Sequence, residues 1–130
     1  MFQPIRPNRL LEEGSRLQAG GHQHSAERLY LRAAQAQPED AEAQVAAAVG
    51  RFDKDNLVPA FSHLGPLTRR FPRSQAVRYY LGLLLAWTGQ RDAAVAQFER
   101  TAALDRRSAL GRNASDFLAR LKGRTRAPAK

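Results

Sequence analysis

Residues Leu81–Leu104 read LGLLLAWTGQRDAAVAQFERTAAL, preceded by Tyr79 and Tyr80. From Tyr79 to Trp87 no residue is charged and all but Gly82 are apolar. Nine such residues fall well short of the roughly 20 needed to span a bilayer. A helix this apolar must therefore meet protein on more than one side. The polar group Thr88-Gly89-Gln90 follows, and then Ala94, Phe98 and Thr101 recur at helical spacing. The stretch reads as two helices joined by a tight turn at Gly89.

Moving outward by 34 residues finds the same pattern again. A small residue recurs at Gly14, Ala48 and Gly82, and a second at Ala26, Ala60 and Ala94. Tyr30, Leu64 and Phe98 follow four residues later, then Ala33, Leu67 and Thr101. Turns fall at Gly21, Asp55 and Gly89, and Pro38, Pro72 and Arg106 close the copies. Small residues let two helices approach closely, and the large apolar residue fills the space beside them. Gly in the turn accepts left-handed backbone values, and Pro stops the second helix.

This 34-residue pattern resembles the tetratricopeptide repeat family over about residues 7–108. The third copy matches best, with LGLLL at Leu81–Leu85 and AAVAQFERTAAL at Ala93–Leu104; the first keeps Leu10, Gly14, Leu17, Ala26, Tyr30, Ala33 and Pro38 in register. The resemblance implies an all-α, right-handed α-solenoid of three antiparallel helix pairs. Its expected organisation is an N-terminal extension over 1–7 and a repeat domain over 8–122, with a basic tail over 123–130. Within the domain, repeats fall at about 7–40, 41–74 and 75–108. A capping helix over about 109–122 carries Leu110, Ala114, Phe117, Leu118 and Leu121 on one stripe, supplying the polar outer face that ends such stacks. The second copy departs from the pattern. Arg51 stands where the other copies have Leu17 and Leu85, with Phe52 beside it. Pro59 suits the first turn of a helix capped by Asn56, whereas Gly65-Pro66 predicts a kink or break at Leu64–Pro66.

Composition narrows the chemistry. The chain has no cysteine, which excludes disulfides, thiolate metal sites and cysteine nucleophiles and suits a reducing cytoplasm. The opening MFQPIRPNRL has no apolar core of a secretory signal, so none is expected. No phosphate-binding glycine loop is present. His22 and His24 share a turn without an evident third ligand, so no metal and no cofactor is expected. No constellation of residues calls for an enzyme.

The net charge is +9, and from Arg106 onward eight basic residues stand against one acid, Asp116. Arg112, Arg120, Lys122, Arg124 and Arg126 form this basic C-terminal patch. It offers attachment to an acidic surface or nucleic acid, but no aromatic residues lie among the tail's charges to stack on bases. Nucleic acid is therefore not the expected partner.

In the resembling family the first helix of each pair lines a concave groove. Carried onto this chain, that stripe is Leu11, Ser15, Gln18 and Ala19, then Val45, Val49, Phe52 and Asp53, then Tyr79, Leu83, Ala86 and Trp87. The cationic residues with which chaperone-binding members hold a terminal carboxylate are missing from it. The expected function is a non-catalytic adaptor or scaffold that holds an extended or helical segment of another protein. Its contact residues are expected at Leu11, Val45, Val49, Phe52, Tyr79, Leu83 and Trp87, with Tyr79 and Trp87 as anchors. Three alternatives stand beside this. The stripe packs within the chain or lies beneath the MFQPIRP segment; the apolar face joins copies into a homo-oligomer or larger assembly; or the basic end does the attaching.

Overall fold

The computed structural model describes residues 2–50 and 55–126, the side chains of 124–126 excepted. Among these residues there are eight α-helices and no strand, so the chain is all-α. Its contacts fall into two compact units, Met1–Pro72 and Arg73–Lys130.

The first unit holds α1 (Arg9–Ala19), α2 (Gln23–Ala36), α3 (Ala41–Val49), α4 (Val58–Leu64) and α5 (Leu67–Arg70). α2 packs against both α1 and α3. Its Tyr30 ring is fully buried, with the backbones of two glycines close to its edges. A Cβ on Gly14 would lie 2.5 Å from Tyr30 Cε1, and one on Gly50 would lie 2.8 Å from Cδ2. Only a residue without a side chain permits so close an approach at either point.

The second unit holds α6 (Gln75–Trp87), α7 (Arg91–Leu104) and α8 (Ala109–Arg126). Here Phe98 of α7 lies against Gly82 of α6, where an added Cβ would come within 2.7 Å of the ring. The Gly–aromatic pairs Gly14–Tyr30 and Gly82–Phe98 are offset by 68 residues, twice the sequence period. The turns obey the same offset. Gly21 and Gly89 have φ of 87° and 80°, the left-handed values glycine favours. Gly21 N–H donates to Gln18 C=O and His22 N–H to Leu17 C=O; Gly89 N–H donates to Ala86 C=O and Gln90 N–H to Leu85 C=O.

Helix starts are set by short polar side chains. Asn8, Asp40, Ser74 and Ser108 accept from the amides of Leu11, of Glu42 and Ala43, of Val77, and of Gly111, satisfying donors that have no partner inside the helix. α2, α5 and α7 stop at Ala36, Arg70 and Leu104, each two residues before Pro38, Pro72 or Arg106.

Two expectations change in detail. The helix of the second copy breaks where Gly65-Pro66 required it: α4 ends at Leu64 and α5 begins at Leu67. Its N-cap, however, is Leu57 rather than Asn56, whose side chain accepts from the Val58 amide at 3.4 Å. Pro59 lies in the first turn, where no intrahelical donor is lost. At the other end of the chain α8 continues to Arg126, four residues beyond the expected end at 122. Arg51 lies outside the described residues.

Candidate functional site

On the first unit, the expected groove stripe is already covered. Leu11 and Ser15 of α1 are four residues apart, and Glu42, Val45 and Val49 of α3 follow helical spacing, so each set shares a face. Residues 2–6 cross these two faces. Phe2 C=O accepts from Ser15 Oγ at 3.2 Å, and Ile5 N–H donates to Glu42 Oε2 at 2.5 Å. The Phe2 ring is only 1% exposed and meets Tyr30 edge-on, with centroids 5.5 Å apart. Arg6 Nη2 stands 3.6 Å from Asp40 Oδ1, a pair whose arginine is exposed and whose aspartate is half-buried.

Leu11, Val45 and Val49 are therefore not a vacant binding surface. All three are fully buried. Residues 2–6 lie against the same two helices, through Ser15 of α1 and Glu42 of α3. Phe52 lies outside the described residues.

Glu42 is one of two buried polar or charged residues among those described, the other being Thr101. Burial pushes the Glu42 carboxyl above its usual range, while the amides of Ile5 and Arg6 and the Arg6 charge pull it back. Two consecutive amides of one segment, which bends at Ile5 and Arg6, thus converge on this carboxylate. Thr101 has no comparable role, since its hydroxyl donates back to Gln97 C=O within α7.

On the second unit the three predicted residues of α6 separate. Tyr79 is 7% exposed and belongs to an aromatic cluster. Its ring centroid lies 5.9 Å from Phe98 and 6.3 Å from Phe117, while those two rings stack 5.1 Å apart. Tyr79 is thus a core residue among α6, α7 and α8, not an outward anchor. Burial raises its phenol above the ordinary value, opposed by a hydrogen bond with Asn113 and the Arg120 charge. Leu83 is half-buried, and Trp87, four residues further on, is 63% exposed. These two lie one turn apart on the α6 surface.

The basic patch is partly committed within the second unit. Lys122 Nζ pairs with Glu99 at 3.2 Å, Arg112 Nη1 donates to Arg107 C=O at 2.6 Å, and the Arg120 guanidinium lies 4.6 Å from the Phe117 ring centroid. The side chains of Arg124 and Arg126 lie outside those described. Among the described residues no group of three His, Cys, Asp or Glu side chains is placed to hold a metal ion, and no helix is long and apolar enough to cross a membrane.

Sequence reasoning offered cover by the MFQPIRP segment as an alternative without singling out Phe2, and it missed the parts played by Glu42 and Gly50. Phe2 stands alone without periodicity, and Glu42 reads equally well as a first-turn acid answering the helix dipole. Gly50 falls outside the repeating small-residue columns. The capping side chains had a signal, since Asp40, Ser74 and Ser108 stand at intervals of 34 residues. The sequence matches no protein-family model and no curated protein.

Proposed function

We propose that this chain is a tetratricopeptide-like module, a right-handed solenoid of helix pairs, that binds an extended segment of another protein and catalyses no reaction. The observation that carries this reading is the seating of residues 2–6 across α1 and α3, with Phe2 buried as an anchor and backbone groups bonded to Ser15 and Glu42. A face that takes a non-helical segment of its own molecule has the chemistry to take one from a partner. The 68-residue offset of the turns and Gly–aromatic pairs supports the repeat. On α6 the surface offered to a partner is Leu83 with Trp87, a half-buried aliphatic beside an aromatic 63% exposed. Tyr79 is packed against Phe98 and Phe117 and is left out of that surface. The buried Thr101 hydroxyl is bonded within its own helix, which fits a structural role for it.

Trp87 is the only tryptophan, so its emission reports on this surface alone. The test immobilises the full chain and the Trp87→Ala variant, recovers proteins retained by the former, and titrates the purified partner into the wild type. A partner lost from the variant that also shifts Trp87 emission is expected. A partner held equally by both, with emission unchanged, overturns the assignment of the α6 surface.

A further inference from the structure

The leading segment is attached in an unusual manner for a structural element. Of residues 2–6 only Phe2 is buried; Gln3, Ile5 and Arg6 are exposed, with Ile5 at 47%. Pro4 interrupts the segment's supply of amide donors, so it cannot offer a continuous ladder of hydrogen bonds. Its contacts include one aromatic side chain on Tyr30, one carbonyl on Ser15, the amide groups at Glu42, and a cation near Asp40. One anchor, a few directional backbone contacts and a rim charge are how a bound peptide is held, not how a core helix or strand is held.

The receiving face shows the complementary arrangement. Glu42 is 3% exposed, yet its carboxylate is aimed at amides of the segment rather than at its own helix. A buried carboxylate is costly without donors, and here the crossing segment provides them. Asp40 caps α3 through the Glu42 and Ala43 amides while also facing Arg6. The recognition groups thus sit on α1, α2 and α3, which are fixed by the Gly14–Tyr30–Gly50 packing.

We infer that the face formed by Ser15, Tyr30, Asp40 and Glu42 is a binding site for a non-helical partner segment carrying an aromatic side chain followed four residues later by a basic one. Residues 2–6 are its built-in competitor. Such a partner segment places its aromatic ring on Tyr30, its amides on Glu42 and its cation by Asp40, and displaces residues 2–6 as it docks. The inference rests on the reading of first-helix faces as chain-binding surfaces. It concerns residues of α1, α2 and α3 and not Trp87 of α6, so the two stand or fall on separate measurements.

The test uses the full chain and a fluorescent peptide of residues 1–8, MFQPIRPN, followed by anisotropy. Phe2→Ala in the protein removes the resident anchor, and the peptide is expected to bind this variant at least tenfold more tightly than the wild type. The same peptide carrying Phe2→Ala should bind neither. Adding Glu42→Gln to the Phe2→Ala protein should weaken binding at least tenfold. Equal affinity for wild type and Phe2→Ala protein, or no binding to the folded variant, overturns the inference. Should Phe2→Ala fail to fold, amide exchange in the wild type decides. Excess peptide should speed exchange at Ile5 while α1, α2 and α3 stay protected, and an unchanged Ile5 rate overturns the displacement.

Discussion

Replacing Gly14 by alanine should destabilise the protein, although alanine is the better helix former. The new Cβ would stand 2.5 Å from Tyr30 Cε1 and 2.8 Å from Cδ1. Ordinary carbon contacts are about 3.5–4.0 Å, so the ring must retreat by about 1 Å. It has little room. The backbone at Gly50 approaches Cδ2, and the Tyr30 hydroxyl donates to Gln18 Oε1 at 3.0 Å. Overpacking of this kind costs about 1–3 kcal/mol, and relief of glycine's helix penalty returns about 1 kcal/mol. At the middle of that range the clash wins, leaving a net loss of about 1 kcal/mol and at most about 2 kcal/mol. In thermal unfolding followed by circular dichroism that is a fall in Tm on the order of 3–10 °C.

Two controls make the reasoning refutable. An added Cβ on Gly123 meets nothing within 4 Å, so Gly123→Ala should stabilise by a few tenths to about 1 kcal/mol through propensity alone. A Tyr30→Leu background removes the ring atoms that clash, and there Gly14→Ala should lose most of its cost, giving a coupling of about 1 kcal/mol or more. If Gly14→Ala is as stable as the wild type, or costs the same with Tyr30→Leu, then Tyr30 is not lodged against α1.

Further outcomes follow from other contacts. Gly111→Ala should cost more than Gly14→Ala, about 3 kcal/mol, because its Cβ would fall 1.9 Å from the Asp105 carbonyl oxygen and backbone yields less than a side chain; denaturant unfolding checks the ranking. Asp40→Ala removes the α3 cap and should cost about 1 kcal/mol, with partial recovery in Asp40→Ser, read by the same titration. Burial pushes the Tyr30 phenol from 10.0 up to about 12. The folded state therefore keeps a proton that the unfolded chain loses, so this group's stabilisation is complete below pH 10 and disappears as pH rises through about 12. The loss amounts to roughly 2–3 kcal/mol. Tyrosinate absorbance should show Tyr30 and Tyr79 ionising late and together with loss of helix; ionisation of Tyr30 near pH 10 in a fully helical protein contradicts its burial.

Helix placement was legible because it rests on local chemistry. Apolar residues at helical spacing, glycine in the turns and proline beyond the ends locate α1, α2, α6, α7 and α8. The break at Gly65-Pro66 follows from proline's missing donor alone. The candidate site was much less legible. A stripe such as Leu11, Val45 and Val49 states that a helix face is apolar, but not what covers it. That depends on residues far away in sequence, here Phe2 against Tyr30 and Ile5 against Glu42, separated by 28 and 37 positions. Tyr79 failed for a related reason. Its position on the α6 stripe suits an outward anchor until α8 brings Phe117 to the same side.

These two misreadings share one physical cause, and it bears on function. A first-helix face next to an unpaired edge is apolar whether a partner or the chain itself will cover it, since both need the same transfer free energy. Polar geometry separates the cases. Around Tyr79 the neighbours are rings, and the face is closed by packing that no segment could replace piecemeal. Across α1 and α3 the cover is a thin segment with one buried side chain, and the buried Glu42 carboxylate depends on donors from outside its own helix. If Glu42 served only packing, an apolar residue of similar size would fill the place without the desolvation cost. The carboxylate kept there is answered by two consecutive free amides, which the bend at Ile5 and Arg6 turns to one side, and under the inference drawn above a partner segment has to present the same pair.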